Sequence, residues 1–269
     1  MREKISVGIL SFLMIMVFSC ATTGPGGEKD LILIPASQEV AMGKQFHEQI
    51  ITEMKVYDNP EWQDYFNEIG QSIVVVSDRK DIEYHFTVVE SEDINAFATP
   101  GGYIYIFTGL LEIIDNEAQL AAVTSHEISH IVARHSVQQM QSVLGLSILK
   151  ELVLGDTDSK TFETIYQVAL AVGMSGYSRE HEREADNYGV IYMVNAGYNP
   201  EGALGLFGSL REAHGRAGDR SFFENLFASH PETQERINNV SQQIESYDSE
   251  ILSRSKNEQK YIRMKALLP

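Results

Sequence analysis

The sequence predicts an α+β domain, mainly helical, with a small β-sheet near its middle. Three observations predict it. Apolar residues recur at helical spacing, several times behind a recognisable cap, over most of the chain after residue 37. Alternating β-branched and aromatic residues are confined to 82–107. Hydrophobic residues make up 43% of 269, enough for a sizeable core and too many for a mostly disordered chain.

In chain order, Ser37 to Met54 reads as an amphipathic helix with Ser37 at its N-cap. Asn59-Pro60 is a cap followed by proline at the first helical position, opening a helix to about Val76. Ile82 to Glu90 is a strand. Pro100-Gly101-Gly102 is a turn, and Tyr103 to Phe107 a short apolar strand after it. A long helix starts at Asp115 or Asn116 and is expected to run past His135. Further helices are expected at about 160–174, 179–195 and 200–213, with a polar helical tail over about 231–265.

Ahead of this domain, Arg2 and Lys4 precede an apolar stretch from Ile5 to Phe18, the pattern of an export signal. The stretch is short of the roughly 20 residues that cross a bilayer. It ends in Val17-Phe18-Ser19-Cys20, which resembles a bacterial lipobox, although Phe18 is bulky for that position. Residues 1–19 are therefore expected to be a signal peptide, Cys20 the lipidated residue, 20–36 a flexible Gly/Thr-rich tether, and 37–269 the folded domain. Thr22, where Asp would favour inner-membrane retention, points to the outer membrane and a protein facing the periplasm. Cys20 is the chain's one cysteine, which excludes an internal disulfide and a thiolate zinc site. A net charge of −17 argues against nucleic acid as a partner and against docking on anionic lipid through a basic face.

The chemistry is concentrated at His126-Glu127-Ile128-Ser129-His130, an HExxH motif. Residues four apart on a helix share a face about 6 Å apart along the axis, so His126 and His130 can bind one zinc ion. Glu127 beside them can take a proton from water at the metal's open position. The surrounding Ala118, Ala121, Ala122, Val123, Ile131 and Val132 are apolar. Two histidines and a glutamate buried among them need a partner, and a metal provides one. A second cluster, Tyr177 to Asp186, places Glu182 and Asp186 four apart on one face. One carboxylate can bind the metal while the other orients a ligand histidine. Glu180, His181 and Arg183 read as a solvated face.

With these motifs the chain resembles the HtpX-type zinc metallopeptidases, the family of the CAAX prenyl protease and of the periplasmic proteases BepA and LoiP. The resemblance covers about 37–245. It rests on Asn95-Ala96-Phe97-Ala98-Thr99-Pro100-Gly101-Gly102, HExxH at 126–130, ExEAD at 182–186, and Ser229-His230-Pro231 with Arg236-Ile237. It implies a zincin-type (gluzincin) fold with the sheet beside the HExxH helix. It also implies one zinc ion per chain, held by His126, His130 and Glu182, with Asp186 behind them. Glu127 is expected to be catalytic. The strand at Tyr103, Ile104 and Tyr105 is expected to offer its edge to an extended substrate. His230 is expected to face the zinc, stabilise an oxyanion, or occupy the open metal position; the residues leave the three open. The family's membrane-spanning hairpins and the TPR repeats of some members are expected to be absent. The implied activity is that of an endopeptidase of the bacterial cell envelope, acting on unfolded or misassembled proteins. The competing expectation is a chaperone-like lipoprotein with structural zinc.

Overall fold

The computed structural model describes residues 21–23, 25–27, 29–154, 157–216, 230 and 233–269. The signal peptide, Cys20, Ser229 and Pro231 lie outside the described residues. A short antiparallel hairpin, β1 (Ala21–Thr23) and β2 (Lys29–Leu31), leads into α1 (Ala36–Glu53). The N-cap of α1 is Pro35, with no side-chain cap, so Ser37 is not the cap the sequence promised. The tether boundary also moves. Ile32 and Ile34 are buried in the core, which therefore begins before residue 37.

Helix α2 (Pro60–Val74) starts as expected, with the Asn59 side chain accepting from the Trp62 amide. The sheet has three strands rather than two: β3 (His85–Val89), β4 (Ala96–Thr99) and β5 (Tyr103–Phe107). The order is β3-β5-β4, with β5 parallel to β3 and antiparallel to β4. The Pro100-Gly101-Gly102 turn sends β5 back into the middle. Gly102 has φ +98°, and a Cβ there would meet the Glu83 carbonyl oxygen at 2.1 Å. Tyr103, Ile104 and Tyr105 are therefore in the central strand, paired on both sides, and have no edge to give a substrate. A strand buried on both faces reads as a continuous apolar run, which hides its place in the sheet.

After α3 (Thr108–Ile113), Asn116 caps α4 (Glu117–Val132), the helix carrying the HExxH motif. Almost every residue of α4 is buried, because α2, α8, α9 and the sheet all pack on it. It does not run past His135. Arg134 adopts a left-handed conformation (φ 58°), and α5 (His135–Val143) starts afresh. The cause is a buried ion cluster. Arg134 Nε lies 2.7 Å from Glu39 Oε2, and its Nη2 donates to the Ile34 carbonyl at 2.7 Å. Arg79 donates to both Glu39 oxygens, at 2.9 and 3.0 Å, and to the Ile131 carbonyl at the end of α4.

There follow α6 (Leu146–Leu154), α7 (Ser159–Ser175) capped by Asp158, α8 (Arg179–Asn195) capped by Ser178, and α9 (Glu201–Arg216). The tail is three helices rather than one: α10 (Gln234–Glu245), α11 (Ser249–Leu252) and α12 (Glu258–Lys265). It packs back on the domain, with Trp62 Nε1 donating to the Met264 carbonyl and Tyr261 donating to that of Leu111. One core cluster, with Trp62, Phe66, Ile104, Ile106 and Ile128, lies between the sheet and α2/α4. A second, with Phe46, Phe97, Tyr105, Met140 and Tyr166, lies on the sheet's other face under α1 and α7. The fold is α+β and mainly helical, with the sheet beside the HExxH helix.

Candidate metal centre

His126 and His130 stand one turn apart on α4, and their Nε2 atoms lie 3.1 Å from each other. Glu182 in the first turn of α8 faces both, at 3.5 Å from His126 Nε2 and 3.5 Å from His130 Nε2. The helices can meet this closely because α8 presents Gly189 to α4; a Cβ at 189 would lie 3.2 Å from the His126 amide nitrogen. His230 completes the group. Its Nδ1 is 2.9 Å from Glu182 Oε1 and 3.2 Å from His126 Nε2. One ligating atom from each of these four residues falls within 4.8 Å of all the others.

The donor set fits a divalent ion. Ligands at 2.0–2.1 Å on a tetrahedral ion stand about 3.3–3.4 Å apart, and the separations here cluster around that value. Three imidazoles and one carboxylate are a borderline-soft set suited to zinc-like metals rather than to calcium or magnesium.

Three of the four candidate ligands are held from behind. His126 Nδ1 faces Asp186 Oδ1 at 3.1 Å, which leaves Nε2 free to ligate. Asp186 in turn takes two bonds of 2.7 Å from the Arg236 guanidinium, whose third nitrogen is 2.8 Å from Glu182 Oε2. His130 Nδ1 faces His135 Nδ1 at 2.9 Å, and His135 Nε2 faces Glu184 Oε2 at 3.2 Å. Tyr177 stacks on the His130 ring at a centroid distance of 4.0 Å, and His181 stacks on His135 at 4.1 Å.

The electrostatics follow from burial and partners. Burial pushes His126 down, but the Asp186 and Glu182 carboxylates outweigh it and lift its pKa to about 10. Burial holds His130 well below the usual imidazole value. It would raise Glu182 as well, yet His230, His126 and His130 carry that carboxyl well below the ordinary range. Asp186 resists burial through Arg236 and is also lowered. Glu127 goes the other way: burial raises it, with His230 and His126 opposing. Strand β4 packs on α4, so the strand nearest the site is β4 rather than β5. Glu127 Oε2 is buried and makes no hydrogen bond.

The structure thus brings together His126, Glu127, His130, Glu182, Asp186 and His230, and leaves Tyr103, Ile104 and Tyr105 in the core. Two contributors escaped the sequence reading. On the unbroken helix expected past His135, that residue, five places after His130, would be turned off the metal face; the break at Arg134 swings it behind His130. His181 was assigned to a solvated face and is half-buried against His135.

Comparison with known proteins agrees with this geometry. The model of peptidase family M48 matches residues 60–244, well over half of the chain. The chain belongs to peptidase family M48. Among curated relatives, the beta-barrel assembly-enhancing protease of Escherichia coli (strain K12) is 28% identical over 173 residues, 61% of this chain and 36% of the relative. The mitochondrial metalloendopeptidase OMA1 of Schizosaccharomyces pombe (strain 972 / ATCC 24843) is 29% identical over 176 residues, 65% of this chain and 51% of the relative. The metalloprotease YcaL of Escherichia coli (strain K12) is 24% identical over 165 residues, 60% of this chain and 63% of the relative. The chain spans about a third to under two thirds of these relatives.

Proposed function

We propose that the protein is a zinc-dependent endopeptidase with one zinc ion per chain, held by His126, His130 and Glu182. The observation that carries this reading is Glu127. Its carboxyl is buried at the cluster, is raised by that burial, and keeps one oxygen without a hydrogen bond. A buried carboxylate oxygen left without a hydrogen bond is costly unless it has work to do. When bound, zinc supplies Lewis acidity toward a carbonyl oxygen and toward water. Glu127 accepts the proton of the attacking water on its free oxygen and passes it to the leaving amine. Asp186 and Arg236 hold His126 and Glu182 in place, and the apolar packing of α4 keeps bulk water away from the ligands.

His230 decides between two modes of the same site. Its Nδ1 lies 2.9 Å from Glu182 Oε1 and 3.2 Å from His126 Nε2, which supports a latch that substrate must displace. The competing reading is the chaperone-like protein with structural zinc, and the same contact favours it, because structural sites are closed by four protein ligands. His230→Ala separates them. A latch predicts full metal content with higher proteolysis or self-cleavage. A structural ligand predicts lost metal and no cleavage in either form. An oxyanion role predicts retained metal with turnover lower by about 10²-fold. The decisive control is Glu127→Gln, which keeps zinc by metal analysis and loses cleavage of an unfolded protein such as casein. Cleavage at the wild-type rate would overturn the mechanism.

The cellular setting of this proposal is the bacterial envelope, with the protein lipid-anchored at Cys20 in the outer membrane, facing the periplasm and degrading unfolded or misassembled envelope proteins. Its support is the lipobox-like Val17-Phe18-Ser19-Cys20. No helix among the described residues is long and apolar enough to cross a membrane. Cys20→Ala is expected to abolish palmitate labelling and release the protein from the membrane fraction. Absence of label on the wild type would remove the anchor from this reading.

A further inference from the structure

The junction of α5 and α6 carries Val143-Leu144-Gly145-Leu146. Leu144 packs into the core with Val137, Met140, Leu149 and Leu152, which holds this corner in place. Its neighbours turn outward: Val143 is 63% exposed and Leu146 84%. Gly145 lies in open space, with no atom near enough to touch a Cβ there. Leu33 stands at the same corner, 39% exposed, and its amide donates to the Gln141 side chain near the end of α5 at 3.0 Å. One exposed apolar side chain is ordinary, but three at one corner mark a surface with a use. None of the chemistry above draws on them.

We infer that this corner is where the protein lies on a lipid bilayer, with Val143 and Leu146 entering the interface. The inference deepens the envelope setting proposed above and rests on the anchor at Cys20: the lipid tethers the chain, and the corner orients it. Three observations favour a bilayer over another occupant. The first is where the chain enters the fold. Ala21 pairs with Leu31, two residues before Leu33, so the chain arriving from Cys20 joins the fold beside this corner. The second is charge. From 128 to 150 the sequence has no Asp or Glu, in a chain with 38 of them. Lys150 is exposed one turn after Leu146 on the same face of α6, where its ammonium can meet headgroup phosphates while its stem covers the apolar tips. The net charge of −17 excludes a basic docking face, not an apolar corner free of acids. The third is shape. Three side chains on a protruding corner offer far less than the about 800 Å² per partner of a standard protein interface. Binding at a bilayer interface scales with buried apolar area and asks for no complementary surface. Docked this way, the metal cluster stands close to the membrane. Helix α5 has nine residues, about 13 Å of length, and starts at His135 behind His130. The site then reaches polypeptide segments near the bilayer surface.

The test puts an environment-sensitive fluorophore at Leu146→Cys in the mature lipidated protein. The protein is reconstituted in phosphatidylethanolamine–phosphatidylglycerol vesicles, with and without nitroxide-labelled lipid. Lipid on Cys20 leaves the new thiol as the only free one. The probe should shift to the blue and be quenched by the nitroxide. A probe at Glu250→Cys, exposed on α11, should do neither. The two sites lie at opposite ends of α8: Ser142 and Val143 line a groove with Ser178 and His181 at its start, and the Leu252 carbonyl of α11 is bonded by Asn199 beyond its end. In the unlipidated Cys20→Ala chain, Val143→Ser with Leu146→Ser should weaken partitioning onto the same vesicles by about 10-fold or more. Metal content, melting temperature and casein cleavage should stay unchanged, because both side chains are exposed and neither touches a ligand. Palmitate on the wild type with a Leu146 probe that remains in water, or partitioning unmoved by the double substitution, overturns the docking face and leaves the anchor standing. No palmitate on the wild type removes the anchor, and this inference with it. A dimer formed without vesicles and dispersed by the double substitution gives the corner to a second copy and overturns the lipid reading.

Discussion

His126 has both ring nitrogens committed, Nδ1 to Asp186 and Nε2 to the metal cluster, and His130 has the same arrangement with His135 in place of the carboxylate. The partner behind each ring fixes which nitrogen is free and where it points. A ligand histidine without its partner still reaches the metal but is no longer held there. Asp186→Ala and His135→Ala are therefore expected to weaken metal binding by about 10–100-fold each, as losses behind a ligand generally do. His126→Ala and Glu182→Ala, which remove ligands outright, should lose most of the metal. Competition against a chelator of known affinity measures all four. Wild-type affinity in both Asp186→Ala and His135→Ala would mean that the backing contacts carry no energetic role.

Among the elements, the end of α4 is the most informative. The helix stops at Val132 because Arg134 leaves helical geometry to reach Glu39 and the Ile34 carbonyl. Only that stop brings His135 under His130. Glu39, Arg79 and Arg134 are all nearly inaccessible, so removing the carboxylate leaves the buried Arg134 guanidinium without its anion and Arg79 with only Asp81, at 3.5 Å. Breaking a buried ion pair from one side costs about 3–5 kcal/mol. Glu39→Ala should lose stability on that scale in denaturant unfolding and loosen His135; a loss below about 1 kcal/mol would show that water or rearrangement substitutes for the carboxylate. Nothing in the local sequence announces this cluster, because its members lie at 39, 79 and 134. The same holds for the sheet. The β-branched alternation at 82–90 and the Pro-Gly-Gly turn were legible, but the order β3-β5-β4 is a tertiary choice that a uniformly apolar strand does not encode. What could be read was what depends on spacing within one helix: the Asn59 and Asn116 caps, the paired histidines of HExxH, and the shared face of Glu182 and Asp186. His135 was missed because its position depends on a long-range contact breaking a helix that local sequence continues.

At the scale of the whole molecule, the cluster joins parts of the chain that are far apart in sequence. Two of the candidate ligands come from α4, one from α8 and one is residue 230, so the set exists only in the folded protein. A ligand that binds the native state alone adds stability through mass action, about 4 kcal/mol when free metal exceeds its dissociation constant a thousandfold. For a domain of this size, 1 kcal/mol moves the melting temperature by about 2–4 °C. Chelation is therefore expected to lower the melting temperature by roughly 8–16 °C, and re-adding one equivalent of zinc to restore it. Residual binding of the metal to histidines of the unfolded chain would shrink the shift without abolishing it. The control is His126→Ala with Glu182→Ala, which lacks two of the ligands: its melting temperature should be the same with and without chelator. Calorimetry on both proteins reads the effect directly. If chelator leaves the wild type unmoved while metal analysis shows the ion removed, the four residues do not hold a metal that couples α4 to α8. The packing of Gly189 against His126 and the contact of His126 with Asp186 would then link these helices at the site without a metal.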